Sequence, residues 1–389
     1  MFKNHLKIAL RSIKKEKLFT FIKIGGFAVG IAACLLIALF IRDELSYDEH
    51  YANKDRLFRV VLNFDIDGEI LKNVYFPLPL AETLQADFPE IKKAGKVNTS
   101  ELFGAGKRGL RPSGEIQNHF EEGFVFADQE LFEILEIPLE RGNPEEALKK
   151  PQSLVISEAK ASKYFPNGNA LGQTIILDDN ATKPYTITGV MKDFPENSHL
   201  NFDFLMPIED NNTSWTSQNY FTYVLVDEKA DIRQLEQKLF SITEDYVLPA
   251  QRERGRDAAF INILKNVDYT LQPITDIHLK SDITMQDGLK HGDIRFVWLF
   301  AAIAGFILLL AAINFINLST AKSANRAKEV GLRKTVGAFK HNLIAQFLTE
   351  SVVYSFLSFV LGLLLAWALL PYFNSIAAKS ITMPWGVWW

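Results

Sequence analysis

Three uncharged apolar runs constrain this chain more than any other property: Ile24–Ile41 (18 residues), Phe296–Ile313 (18) and Ser351–Phe373 (23). An α-helix rises ~1.5 Å per residue, so about 20 residues cross the ~30 Å hydrocarbon core of a bilayer. A charge at mid-bilayer costs roughly 2.5–3.5 kcal/mol on the insertion scale, so charge-free runs of this length mark membrane helices. The alternative, a helix buried in a soluble core, usually has only ~10–14 apolar residues. Lys23, at the edge of the first run, is expected to snorkel toward the headgroups. Asn314 and Asn317 follow the second run, and Pro371 lies near the end of the third.

Flanking charge gives the orientation. Lys3, Lys7, Arg11, Lys14, Lys15 and Lys17 precede the first run against Glu16, whereas Arg42 is followed by Asp43, Glu44, Asp48 and Glu49. Between the second and third runs lie Lys322, Arg326, Lys328, Arg333, Lys334 and Lys340, opposed by Glu329. The positive-inside rule places both basic segments in the cytoplasm. The expected order is a cytoplasmic amphipathic helix (1–18, with Phe2, Leu6, Leu10 and Ile13 at helical spacing), a first span (19–41) and an outside domain (42–294). A second span (295–318), a cytoplasmic segment (319–345), a third span (346–373) and a short outside segment (374–389) follow. Ile41-Arg42-Asp43-Glu44 offers no small-x-small cleavage site, so the first span reads as a signal anchor.

With 389 residues the chain exceeds the size at which single cores stop growing. Its net charge of -4 gives no reason to expect nucleic acid. Its one cysteine, Cys34, lies inside the first run, so no disulfide forms within the chain. The outside domain therefore depends on its core alone.

That domain carries strand signals at Leu57–Asn63, Ser153–Ile156, Thr174–Leu177, Tyr185–Val190, Tyr220–Val226 and Tyr269–Gln272. Helix signals fall at Leu78–Asp87, Ser157–Tyr164 (Ser157 as N-cap) and Ile232–Tyr246. The mixture predicts an α+β domain, with a seam between subdomains at Pro144–Pro151. Catalytic constellations are lacking. His5, His50, His119, His199, His278, His291 and His341 form no metal-binding pair in sequence, and neither a G-x-S-x-G elbow nor a P-loop is present. Gly104-Ala105-Gly106-Lys107-Arg108-Gly109 matches G-x-G-x-x-G, but Leu110-Arg111-Pro112 after it cannot open a helix, so it is expected to be a flexible loop. No cofactor is expected, and an ATP-driven role needs a partner.

The basic segment is more informative. On a helix, Lys322, Arg326, Glu329 and Arg333 share one face, and Glu329 precedes Arg333 by four residues in the favourable order. Gly337 suits a helix end, after which Leu343, Ile344, Phe347 and Leu348 begin a second amphipathic piece entering the third span. Charge bias alone explains the sign of these residues, but not a short charged helix, a Gly-Ala break and a second helix.

The stretch from Arg326 to Ala338, followed by Gln346-Phe347-Leu348-Thr349-Glu350-Ser351, resembles the signature of FtsX-like, MacB-like ABC transporter permeases. Gly30–Leu36 with Asp43–Asp48 is similar to the family's first span and stalk entry. Ser153–Glu158, Tyr164-Phe165-Pro166, Ala170-Leu171-Gly172 and Thr188-Gly189-Val190 resemble its periplasmic core. The resemblance implies an integral membrane protein of α-helical spans plus a large extracytoplasmic α+β domain, a porter-like subdomain with an inserted β-rich subdomain. It implies a coupling helix docking on a separate cytoplasmic ABC ATPase, with Arg326, Glu329, Gly331, Arg333, Lys334, Gly337 and Ala338 as the contact. The ATPase would drive the outside domain through the spans, in the bacterial inner membrane. A second permease unit, a periplasmic adaptor and an outer-membrane channel are implied partners alongside membrane lipid. Family members carry four spans per unit, and the aromatic Trp385-Gly386-Val387-Trp388-Trp389 stands where a fourth should begin, so the chain reads as truncated there. Export of antimicrobial compounds, peptides or lipoproteins is the implied role. The alternative is an FtsX-type regulatory module controlling a periplasmic partner.

Overall fold

The computed structural model describes residues 11, 13, 17–66, 68–283, 287–325, 331, 332, 335 and 339–385. The chain divides into two compact units, Met1–Leu45 with Ile294–Trp389, and Ser46–Asp293.

The first unit is helical. Its span helices are Lys17–Leu45, Ile294–Asn325 and Lys340–Ala377, and each is long and apolar enough to cross a membrane. The third helix runs through Pro371, four residues beyond the uncharged stretch, to Ala377. A proline costs a membrane helix one hydrogen bond, which neighbouring groups can make good. The helix ends at Ala378, whose left-handed backbone (φ 50°) turns the Lys379 N–H back to the Asn374 carbonyl at 3.0 Å.

In the second unit the described strands join in one twelve-stranded sheet. They are β1 (Leu57–Ile66), β2 (Glu69–Asn73), β3 (Ile91–Asn98), β4 (Gly106–Pro112), β5 (His119–Ala127), β6 (Leu139–Gly142), β7 (Ser153–Ser157), β8 (Thr174–Leu177), β9 (Tyr185–Met191), β10 (Phe204–Pro207), β11 (Phe221–Val226) and β12 (Val267–Pro273). The helices are α1 (Leu80–Asp87), α2 (Gln129–Ile134), α3 (Glu158–Tyr164), α4 (Ile232–Ile242), α5 (Leu248–Glu253) and α6 (Ala258–Leu264).

The sheet has two parts. Strands β3, β11, β1 and β12 form an open antiparallel sheet with β2 hairpinned on β1. Strands β5, β4, β8, β9, β7 and β10 pair in sequence, and β10 returns to β5 in parallel, closing a six-stranded ring. The ring encloses Leu110, Phe124, Leu154, Ile156, Ile187, Phe204 and Met206, all buried, as a small barrel requires. One face of the open sheet packs Leu80, Leu84, Leu235, Leu239 and Ile242 of α1 and α4 against Val60, Val224 and Leu271. The other face packs Leu131, Phe132 and Ile134 of α2 against Leu57, Val97 and Phe221.

The arrangement is an α+β domain with a β-rich module inserted into an open sheet, as the resemblance implied. The chain leaves the open sheet after β3 and rejoins it after β10, but α2 also returns to it between β5 and β6. Pro144–Pro151 lies between β6 and β7, and its Ala147 and Leu148 pack in the same core as α2, next to the point where the chain re-enters the ring at β7. The G-x-G-x-x-G stretch is corrected. Gly104 (φ 83°) and Gly106 (φ 79°) make a tight turn, and Gly106–Pro112 is then strand β4 rather than loop. Its basic residues hide the strand in sequence, because Arg108 and Arg111 reach sideways to Asp178 and Asp179.

Candidate functional site

Arg326, Glu329, Arg333, Lys334, Gly337 and Ala338 lie outside the described residues. Gly331 is described: it is helical and exposed, and a Cβ there would meet nothing within 4 Å. Beside it Leu332 is 68 % exposed.

The helices that carry this loop are tied together beneath it. On the third span Gln346, Glu350, Tyr354 and Ser358 recur every fourth residue and are all buried, a polar stripe on one helix face. The Tyr354 hydroxyl lies 3.3 Å from Thr20 Oγ1 of the first span. Lys23 does not snorkel: it is 4 % exposed, its ammonium 4.2 Å from the Phe315 ring centroid and 4.3 Å from that of Tyr354. Two π faces from the other two spans stand where headgroup water was expected.

Further along, small residues permit close approach. A Cβ on Gly30 would sit 2.6 Å from that of Ala311, and one on Gly362 would sit 2.8 Å from Ile31 Cγ2. The Cys34 thiol donates to the Ala304 carbonyl at 3.1 Å. At the opposite end Lys379 bridges Asp43 (2.9 Å) and Glu44 (2.7 Å), joining the first and third spans. The second span is held less: 6 % of its apolar window is buried, against 33 % for the first and 22 % for the third.

In the second unit, the segment that continues the first span is clamped to the β9–β10 connection and through it to β11, and the segment that precedes the second is clamped to β1. Asp48, in the left-handed region (φ 61°) and wholly buried, accepts from the Ser198 hydroxyl (3.2 Å) and the His199 N–H (3.0 Å). His199 Nδ1 lies 2.9 Å from the same Asp48 oxygen, out of line for a hydrogen bond, so that contact is electrostatic. His199 Nε2 is 2.9 Å from the hydroxyl of Tyr223 on β11. Burial pushes the His199 imidazole below its ordinary value, against the opposing pull of Asp48. Tyr47 stacks flat on His278, with ring centroids 3.4 Å apart.

The second clamp centres on Arg59 of β1. Its fully buried guanidinium donates to Asp287 (2.9 Å), to Gln272 of β12 (2.8 Å) and to Ser281 (3.1 Å). His291 Nε2 reaches the other Asp287 oxygen at 2.7 Å, and its Nδ1 donates to the Ile277 carbonyl at 3.0 Å. Burial alone would raise the Asp287 carboxyl, but the His291 hydrogen bond and the Arg59 charge hold it at about 2. Beside the first clamp is a cavity of about 290 Å³ lined by His50, Tyr51, Leu135, Ile137, Phe194 and Pro195 among others. Glu136, Lys192 and Asp193 complete its lining, and burial lowers the His50 imidazole against the opposing pull of Asp48. These clamps join residues up to 228 positions apart, which is why no sequence spacing announced them.

Residues 20–241 match the MacB-like periplasmic core domain, and residues 301–389 match the FtsX-like permease C-terminal region. Among curated proteins, the macrolide export ATP-binding/permease protein MacB of Neisseria gonorrhoeae is 25 % identical over 255 residues, covering 63 % of this chain and 35 % of that protein. The protein of the same name from Acinetobacter baylyi is 23 % identical over 237 residues, covering 60 % and 32 %. The chain thus spans about a third of the length of the curated relatives it matches. Among solved structures, a domain of a permease protein from Porphyromonas gingivalis is 17 % identical with a TM-score of 0.47, covering 61 % of this chain and 96 % of its own. The periplasmic region of MacB from Actinobacillus actinomycetemcomitans is 15 % identical with a TM-score of 0.37, covering 59 % and 94 %.

Proposed function

This chain belongs to the FtsX-like, MacB-like permease family, and from that premise we propose that it is the membrane subunit of an ATP-driven ABC transporter whose work is done by its periplasmic domain. The observation that carries this reading is the charged segment Arg326–Ala338 between the second and third spans, within the FtsX-like match. Arg326, Glu329, Gly331, Arg333, Lys334, Gly337 and Ala338 form the contact with the ATPase, with the charges setting register and Gly331 and Leu332 the close apolar approach. The relatives are named as ATP-binding/permease proteins, and this chain covers 35 % of the length of the one from Neisseria gonorrhoeae. In this reading ATP hydrolysis is the work of an ABC ATPase on the cytoplasmic side.

The protein sits in the inner membrane with its N-terminus in the cytoplasm. A second permease unit completes the transporter, and a periplasmic adaptor with an outer-membrane channel receives the cargo. The ionisable residues buried in the bundle, Lys23 and Glu350, stand at the edges of the uncharged runs rather than along them, so cargo is handled by the outside domain rather than passed between these helices. Motion starts at the loop, passes through the spans and enters the open sheet through the Asp48 and Arg59 clamps.

Co-purification from native membranes tests the reading. The wild-type chain is expected to bring down an ABC ATPase, and Arg333→Glu to lose it or to lose coupled ATP turnover. Unchanged ATPase recovery and turnover in Arg333→Glu would remove the loop from the mechanism.

A further inference from the structure

A buried cation in a membrane helix is rare, and where one occurs it faces the bundle interior and serves a function. Lys23 is such a cation. Phe315 lies ten residues before the end of the second span helix, and Tyr354 lies fourteen residues after the start of the third. Both rings therefore sit on the side of the bundle where the loop joins those helices. The ammonium lies within about 4.3 Å of each centroid, inside the ~6 Å reach of a cation–π contact. Thr20, one turn before Lys23, adds the hydroxyl contact to Tyr354 at 3.3 Å. The side chain of Lys23 thus touches both helices that the loop connects, from a helix the loop does not belong to.

The rest of the bundle shows why this contact matters. Lys379 binds the far end of the third span to the first through Asp43 and Glu44, and the buried stripe Gln346, Glu350, Tyr354, Ser358 lines the near end. The second span has no comparable burial. It meets the first through Ala311, Ala304 and the Phe315 face.

We propose that Lys23 is a positioning residue for coupling, a latch whose ammonium holds the second and third spans in register on the first, so that displacement of the loop moves the three as one body. The inference rests on the coupling reading given above. Removing the ammonium while keeping the stem would leave the helices packed but let the second span slip. Loop motion would then be absorbed within the bundle. A cation–π contact at a dry site shifts a two-state equilibrium by about five- to thirty-fold, enough to decide between transmission and slip.

The test uses the full chain with its co-purified ATPase in nanodiscs. A dye is placed at Lys107→Cys, an exposed barrel position, in a Cys34→Ser background, and its energy transfer to acceptor lipids is read with and without ATP. Lys23→Met is expected to co-purify, to melt near the background protein and to turn over ATP. Its ATP-dependent change in transfer should be at least about five-fold smaller, and Lys23→Arg, which keeps the cation, should restore it. An undiminished change in Lys23→Met overturns the latch, and so does a failure of Lys23→Arg to rescue. If Lys23→Met does not assemble, Phe315→Leu decides, because it removes one π face and no charge. A reduced change there supports the latch and an undiminished one overturns it. No ATP-dependent change in the background protein would mark failure of the coupling reading itself and carry the latch down with it.

Discussion

Asp287→Ala strips the carboxylate from a guanidinium that has no access to water. Arg59 is fully buried, and it would keep Gln272 and Ser281 but lose the charge 2.9 Å from its Nη1. Truncating one member of a buried pair typically costs about 3–5 kcal/mol, because the surviving charge is left uncompensated. In a domain of roughly 250 residues, each kcal/mol moves the melting midpoint by about 2–4 °C, so the expected fall is about 6–20 °C. The substitution also removes the acceptor of His291 and so frees the segment that leads to the second span. Thermal unfolding of the full chain in nanodiscs, followed by circular dichroism at a fixed scan rate, measures this. The double variant Arg59→Met, Asp287→Leu removes both charges and is expected to recover to within about 2 kcal/mol of wild type, since an apolar pair of similar volume carries no desolvation penalty. A midpoint for Asp287→Ala within about 2 °C of wild type would refute the argument. So would a double variant as unstable as the single one, which would assign the loss to packing rather than to charge.

Other perturbations follow the same physics. The His199 imidazole is lowered in the fold relative to its value of 6.5 in the unfolded chain. Its contribution to stability is therefore complete above that pH and is lost as the pH falls through the lowered folded value. Melting scans should show that decline below pH 6.5 in wild type, and His199→Gln should flatten it. Gly95→Ala would set a Cβ 2.3 Å from the Leu131 backbone nitrogen, so β3 and α2 must part; a loss of about 3 kcal/mol in denaturant titration is expected. Lys379→Met removes the cation shared by Asp43 and Glu44. A loss of roughly 1–3 kcal/mol in helix-bundle stability in detergent is expected, less than for a fully buried pair because Lys379 and Asp43 keep some water.

The three spans were legible because hydrocarbon admits few alternatives, and a charge-free run can be counted. All six expected strands were found, with ends moved by a few residues, because each is rich in β-branched and aromatic residues. The missed strands read otherwise for definite reasons. In β3, Lys93 and Lys96 look like loop chemistry, yet Lys93 reaches Glu133 on α2 and Lys96 reaches Glu82 on α1. Strand β10 is only four residues, and nothing local distinguishes it from a turn. Ser157 capped its helix as expected, accepting the Lys160 N–H at 3.4 Å, because a cap is a local interaction. The clamps and the Lys23 latch were out of reach, since Asp48 and His199, or Lys23 and Tyr354, meet only through the tertiary fold. A lysine at the end of an apolar run looks the same whether lipid or two aromatic rings lie beside it.

The closed ring enters and leaves the open sheet at one residue. Val97 of β3 and Pro207 of β10 both pair with Ala127 of β5, and the Ile208 N–H bonds the Ala127 carbonyl at 3.2 Å. The two ends of the barrel module therefore stand about two strand spacings apart, roughly 10 Å. A gap that short can be bridged by a loop of a few residues. The inserted segment also carries α2, whose Leu131, Phe132 and Ile134 cover one face of the host sheet, so it is the ring strands, not the whole insertion, that can be lengthened or replaced without disturbing the host. On the coupling proposed above, the host sheet takes up motion and the ring is a fitting mounted on it.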